Sequence, residues 1–223
     1  MKPGQFELNF FNGQRIDFLR PITFFLLINV LFVIFSPLTD FYVTLLDQVT
    51  LQPYSGFVKD WLDFKLSAMN VSFEGFEDRY NQVVKLLARS TIIIQVPIFA
   101  VFAFIICYQR RYFFADYLVF SLNFHAWLLL WVVVLQPFAV GLASLIRLVA
   151  PAVNNWQVYL TLLPIGAMIY LLIAMNRFFQ FRWWSTIIRL ALIFAAYQVS
   201  HSIFRFVQFF ITFYMVDVPL DSF

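Results

Sequence analysis

The chain has 223 residues, of which 62% are hydrophobic and 12% charged, and its mean hydropathy is +0.81. A soluble domain carries about 25% charged residues, so this composition excludes one and predicts a multi-pass membrane protein. Net charge is +3, with Arg outnumbering Lys eleven to four. That excess is too small and too dispersed for nucleic acid, and it reads instead as a set of topology marks.

Residues 1–20 are mixed polar and aromatic, with Lys2, Arg15 and Arg20 against Glu7 and Asp17, and form a first segment on the cytoplasmic side. Residues 21–37 are the first span. Pro21 suits a first-turn position and Pro37 closes the run. The apolar stretch is near the lower limit for about 30 Å of hydrocarbon. A signal peptide is the competing reading. Phe35-Ser36-Pro37 is a poor small-x-small cleavage site and the leading polar segment is long, so an uncleaved span is expected.

Residues 38–90 hold most of the acid: Asp40, Asp47, Asp60, Asp63, Glu74, Glu77 and Asp78. They predict a small helical loop domain outside the membrane with a solvated acidic face. Gln52-Pro53-Tyr54-Ser55-Gly56 is a turn. Phe57, Trp61, Phe64 and Leu66 keep an approximately helical spacing. Ser72 is a candidate N-cap, with Phe76, Tyr80, Val83, Val84 and Leu87 on one helical face. Nothing breaks this helix before the next apolar run, so one rod is expected to rise from the loop domain into the membrane.

Residues 91–223 then hold four further spans and a tail. The second span ends at Arg110-Arg111, and Pro97 is expected to kink it. Cys107, the one cysteine, permits no disulfide within the chain and no Cys/His metal spacing. Asp116 sits at a membrane edge, placed to pair with Arg110 or Arg111. The third span is Tyr117 to Leu135. Pro137 and Gly141 interrupt the apolar stretch after it, so residues 138–149 are expected to lie in the interface, or to dip back, with Arg147 at head-group level. Pro151 to Asn155 is a turn, and Trp156 opens a fourth span, broken mildly at Pro164-Ile165-Gly166. Arg177, Arg182 and Arg189 surround the next loop.

The fifth span carries the misplaced polarity. Gln198, His201, Arg205, Gln208 and Thr212 step by three, four, three and four residues, which puts them in one narrow helical stripe. Such a stripe cannot face lipid, because an unpaired polar group in hydrocarbon is costly. It must look into the protein, a partner or a wet cavity. Arg205 could snorkel to phosphates or meet Asp217 of the tail. The tail carries Asp217 and Asp221 and no base. Pro97 and Pro164 are not in matching positions of two halves, so an inverted-repeat transporter has no support.

Basic residues concentrate in three segments: the N-terminus, 109–116 and 176–184. Five spans with the N-terminus cytoplasmic put all three on one side and the C-terminus on the other. His125 and His201 are the two histidines, and a bis-histidine haem is the sharp hypothesis. Helical rise puts them at depths of about 12 Å and about 24 Å, an awkward offset for two ligands of one iron. No cofactor or metal is therefore expected, and His125, with Asn123, reads as buried polarity bonded across helices.

No nucleophile elbow, metal-binding His cluster or Gly-rich phosphate loop is present. The expected role is an accessory, scaffolding or docking subunit, with the lipid bilayer and other membrane proteins as partners. A small transporter or proton path along the stripe is the alternative. It lacks the buried carboxylate such a path needs. A lipid-modifying enzyme using His125 with Asn123 comes third.

Arg110-Arg111-Tyr112, followed by Asp116-Tyr117-Leu118-Val119-Phe120-Ser121-Leu122-Asn123-Phe124-His125-Ala126, resembles the signature of a bacterial multi-pass inner-membrane family of unassigned activity. In that family a basic loop precedes His-Leu-Val-Phe and then His-Phe-His-Ala-Phe. Ile169-Tyr170 through Asn176-Arg177-Phe178-Phe179 is similar to its next span and Arg-rich exit. Here Tyr117 and Asn123 replace the first two histidines and His125 alone is kept. The zinc ribbon that often begins members is lacking as well. Both departures weigh against a metal or redox role. The resemblance implies a bacterial inner-membrane location and brings no activity with it.

Overall fold

The computed structural model describes residues 20–35, 42–150 and 152–216, with all their side chains but those of residues 89 and 90. The expectations placed on residues 1–19, Pro37, Asp40, Pro151, Asp217 and Asp221 lie outside these. Every regular element among the described residues is helical, so the fold is all-α. The helices are α1 (Pro21–Phe35), α2 (Leu45–Thr50), α3 (Ser55–Met69), α4 (Phe73–Thr91), α5 (Gln95–Ile106), α6 (Phe114–Ile146), α7 (Asn155–Phe179) and α8 (Trp183–Met215), with a 3-10 turn at Ile92–Ile94.

The chain divides into two compact units: Met1–Pro37 with Phe99–Ala196, and Leu38–Ile98 with Tyr197–Phe223. The division runs through α5 and α8. The end of the last helix therefore belongs with the loop helices of residues 38–98.

In the first unit α1 and α7 both pack on α6. α1 turns Phe25, Ile28 and Phe32 inward and leaves Ile22, Leu26, Val30 and Ile34 outside. Its 15 residues rise about 22 Å, short of the hydrocarbon thickness. α6, α7 and α8 are each long and apolar enough to cross a membrane, and α4 with α5 supplies one more crossing if the bent pair is a single span. These helices make the protein a membrane-embedded one.

Pro137 does not end α6. The helix runs unbroken through it to Ile146, with Ala139 and Ala143 buried, so residues 138–149 form neither a separate interfacial helix nor a re-entrant one. A proline removes one backbone donor, and apolar helices tolerate that loss when neighbours shield the freed carbonyl. Asn154 and Gln157 cap α7 reciprocally, Gln157 N donating to Asn154 Oδ1 at 2.8 Å and Asn154 N to Gln157 Oε1 at 3.1 Å. Gly166 faces α6 closely. A Cβ there would collide with the indole of Trp131. Trp131 stacks on Trp127, and Trp127 on Tyr170, so the glycine makes room for an aromatic ladder.

In the second unit Ser72 caps α4 as the sequence predicts, accepting from Gly75 N at 3.3 Å. Phe76, Tyr80, Val83 and Val84 form its buried face, joined by Leu45, Val58, Leu62, Phe209 and Phe213. Residues 57–66 are helical, as their spacing predicts, within α3. Val58 and Leu62 are buried, while Phe64 is 77% exposed. Phe57 and Trp61 lie beside Phe206 and Phe210 from the half-exposed flank. Asp60, Asp63, Glu74 and Asp78 form the expected solvated face. α4 does not continue as one rod. It gives way to the 3-10 turn at Ile92–Ile94, where the axis bends by 64°, ahead of Pro97. The kink expected of Pro97 falls one turn before it, because proline has no N–H to give Ile93 O and its ring crowds that carbonyl. Three consecutive β-branched isoleucines, poor helix formers, occupy the turn.

Candidate functional site

The polar stripe of α8 divides along its length. Its inner members are fully buried: Gln208 Nε2 donates to Thr91 Oγ1 at 2.9 Å, and Thr212 Oγ1 donates to Gln208 O at 2.9 Å. Thr91 Oγ1 in turn donates to Leu87 O at 3.0 Å. His201 is half-buried, its Nδ1 lying 3.5 Å from Gln95 Oε1, and Tyr197 also hydrogen-bonds Gln95. Gln95 and Thr91 bracket the 3-10 turn, so two stripe residues are tied to the two ends of the break in the α4–α5 run.

Arg205 lines a polar pocket of about 320 Å³ with Tyr42, Thr44, Asp47 and Gln52. Thr44 caps α2, its hydroxyl accepting from Asp47 N and donating to Asp47 Oδ2 at 2.8 Å. Tyr54 donates to the buried Gln48 at 3.0 Å. Burial pushes the Tyr54 phenol up to about 12, against the opposing charge of Arg205. Asp217, the partner expected for Arg205, lies outside the described residues.

Gln198 is the stripe's outer member. It is exposed and lines an apolar trough of about 450 Å³ with Tyr54, Val199, Ser202, Ile203 and Phe206. Its side-chain amide has no hydrogen-bond partner among the described residues. Among the described residues Ser202 Oγ bonds only back along the helix, to Gln198 O at 3.1 Å.

In the first unit His125 and Asn123 are buried in α6, as expected of polar residues at that place. His125 Nδ1 lies 2.8 Å from Ser121 O and 3.4 Å from Ser121 Oγ. The rings of Phe99 and Phe124 stand edge-on to it, each with its centroid 5.4 Å away. The short contact is to a carbonyl, so Nδ1 carries the proton there. The hydrogen bond of Nδ1 is thus made within its own helix. Asn123 Nδ2 has no partner among the described residues.

The charge marks also find their places. Asp116 caps α6, accepting from Phe113 N at 2.8 Å, in place of the expected pairing with Arg110 or Arg111. Loop 107–113 covers the end of α7: Tyr112 Oη donates to Phe178 O at 2.6 Å, while Gln109 Nε2 and Arg111 Nη2 donate to Phe179 O at 2.9 and 3.0 Å. Tyr117 Oη donates to Cys107 O and accepts from Gln109 N, both at 3.0 Å. Gln180, with φ 53°, then turns the chain in left-handed backbone. Arg110 and Arg182 are exposed and Arg177 is half-buried. Segments 109–116 and 176–184 thus meet directly. Arg111 and Arg182 share a pocket of about 420 Å³ with Gln109, Gln180 and Ser185.

Three polar residues with structural roles escape a reading by stripes and motifs. Gln48 is buried between Tyr54 and Tyr80. Gln95 and Thr91 receive the stripe. A lone amide inside Thr91-Ile-Ile-Ile-Gln95-Val-Pro was the available signal for Gln95. Gln48 has none, because its burial depends on α4, thirty-two residues away. No three His, Cys, Asp or Glu side chains gather closely enough for a metal ion among the described residues.

Fold and polar interior together define an all-α integral membrane protein whose last helix is hydrogen-bonded to a loop domain. No protein-family model, no curated protein and no solved structure matches the chain.

Proposed function

We propose that the protein is an accessory or docking subunit that receives a span of another membrane protein along the outer flank of α8. The observation that carries this reading is Gln198. It is exposed at an apolar trough, and its amide has no partner among the described residues. In hydrocarbon an amide seeks a hydrogen bond across helices, and such bonds contribute about 0.6–2 kcal/mol each. Gln208 Nε2 and Thr212 Oγ1 have theirs inside the unit; the Gln198 amide has none among the described residues. The buried stripe residues hold each other and carry no carboxylate, which favours docking over a proton or ion path.

The proposed setting is a bacterial inner membrane, with five spans, the N-terminus cytoplasmic and the tail outside. The family resemblance of residues 110–126 and 169–179 supports the location. The meeting of the two Arg-rich segments at the end of α7 supports their common side.

A photo-crosslinking residue at position 199 or 203, activated in native membranes, tests the role. The expected product is a discrete protein adduct that disappears with Gln198→Leu. Labelling of lipid alone at both positions would refute docking.

A further inference from the structure

We propose that the pocket at the α7–α8 turn binds the phosphate of an anionic phospholipid headgroup. The pocket is lined by two arginines, Arg111 and Arg182, and by no carboxylate. Arg182 is exposed, and its guanidinium makes no hydrogen bond to any described residue. Arg111 donates to Phe179 O and also bonds and stacks on Tyr112, which holds its exposed guanidinium in place at the pocket wall. Guanidinium groups match phosphate oxygens two at a time.

The surrounding chain removes what would repel an anion. The negative end of α7 points at this turn, but its last carbonyls are covered by Tyr112, Gln109 and Arg111. A third cation stands behind the pocket. Arg189 Nη1 donates to the Oγ of Ser185, a lining residue, at 2.6 Å, and its guanidinium lies 4.3 Å from the centre of the Phe181 ring. Arg111, Arg182 and Arg189 thus stand at or behind the pocket, and the carboxylate of Asp116, in the first turn of α6, is not among its lining residues.

Depth selects a lipid over a free anion. Trp183 and Trp184 open α8 beside the pocket and are 54% and 77% exposed. Tryptophan favours the membrane–water boundary, which puts the two arginines at phosphate level. Ile187 and Ile188, one turn on, are exposed as well, offering an apolar path for an acyl chain. This inference rests on membrane embedding alone and is independent of the docking role of Gln198.

The test uses the full chain in phosphatidylcholine nanodiscs carrying a small fraction of phosphatidylglycerol, with bound lipid read by native mass spectrometry. The expected result is selective retention of phosphatidylglycerol, weakened roughly tenfold by Arg182→Gln, the loss of one charge-assisted contact. Arg182→Lys should restore part of it. Lys59→Gln, which removes the same charge from exposed α3, should change nothing. Among the described residues Arg182 is bonded only through its backbone carbonyl, which accepts from Thr186 N and Oγ1, so side-chain variants leave the fold intact. Equal retention in the wild type and Arg182→Gln would overturn the site. Displacement of the lipid by millimolar inorganic phosphate would overturn the lipid as its source.

Discussion

At the scale of single residues, the polar positions of α8 differ in kind despite their common spacing. Gln208 is sealed against Thr91, while Gln198 lies open. Replacing Gln208 by Leu should lower unfolding free energy in bicelles by about 0.6–2 kcal/mol. Thr91→Val added to it should cost little more, since the bond is already lost. Full additivity of the two would show that this hydrogen bond contributes nothing. Gly166→Ala tests the α6–α7 approach. The added methyl must push Trp131 aside, and overpacking of this kind costs about 1–3 kcal/mol. Thermal unfolding should show a lowered midpoint, relieved when Trp131 is also made Leu. The periodicity of the stripe was legible in the sequence, because helical phase is a local property. Which of its members would be sealed was not. That depends on Thr91 and Gln95, more than a hundred residues away.

At the scale of elements, caps and apolar runs were readable and breaks only in part. Ser72 was legible as an N-cap because its signal lies within four residues of itself. Ser72→Ala should lower stability by about 1 kcal/mol, seen as earlier loss of helical signal on heating. Pro137 misled for the opposite reason. A proline removes a donor wherever it stands, but whether the helix then ends depends on what packs around it. Since α6 passes through it, Pro137→Ala should leave helix content unchanged and raise the unfolding midpoint. A drop in helix content would mean that the residue marks an end after all. The break at Ile92–Ile94 is the converse, a bend one turn before Pro97, whose ring crowds the carbonyl of Ile93. Its two flanks are held by hydrogen bonds to α8, which no local pattern announces.

At the scale of the whole molecule, composition alone carries the all-α membrane class, because the demand that backbone groups be satisfied in lipid leaves few alternatives. The pairing of the two Arg-rich loops was likewise foreshadowed by charge, and the structure adds the contacts through which loop 107–113 caps α7. The extent of the loop domain was less legible. Its core takes in Phe209 and Phe213 of α8, and no boundary in the sequence separates these from the membrane span before them. The central claim is that the inner part of the α8 stripe is enclosed by protein, shut off from both lipid and water. Spin labels at single cysteines, placed in a Cys107→Ala background, test it through collision with lipid-dissolved oxygen and with a water-soluble nickel chelate. A label at Thr212→Cys should be protected from both, while labels at Ile203→Cys and Tyr214→Cys are reached by at least one. Equal access at 212 and 203 would contradict the account.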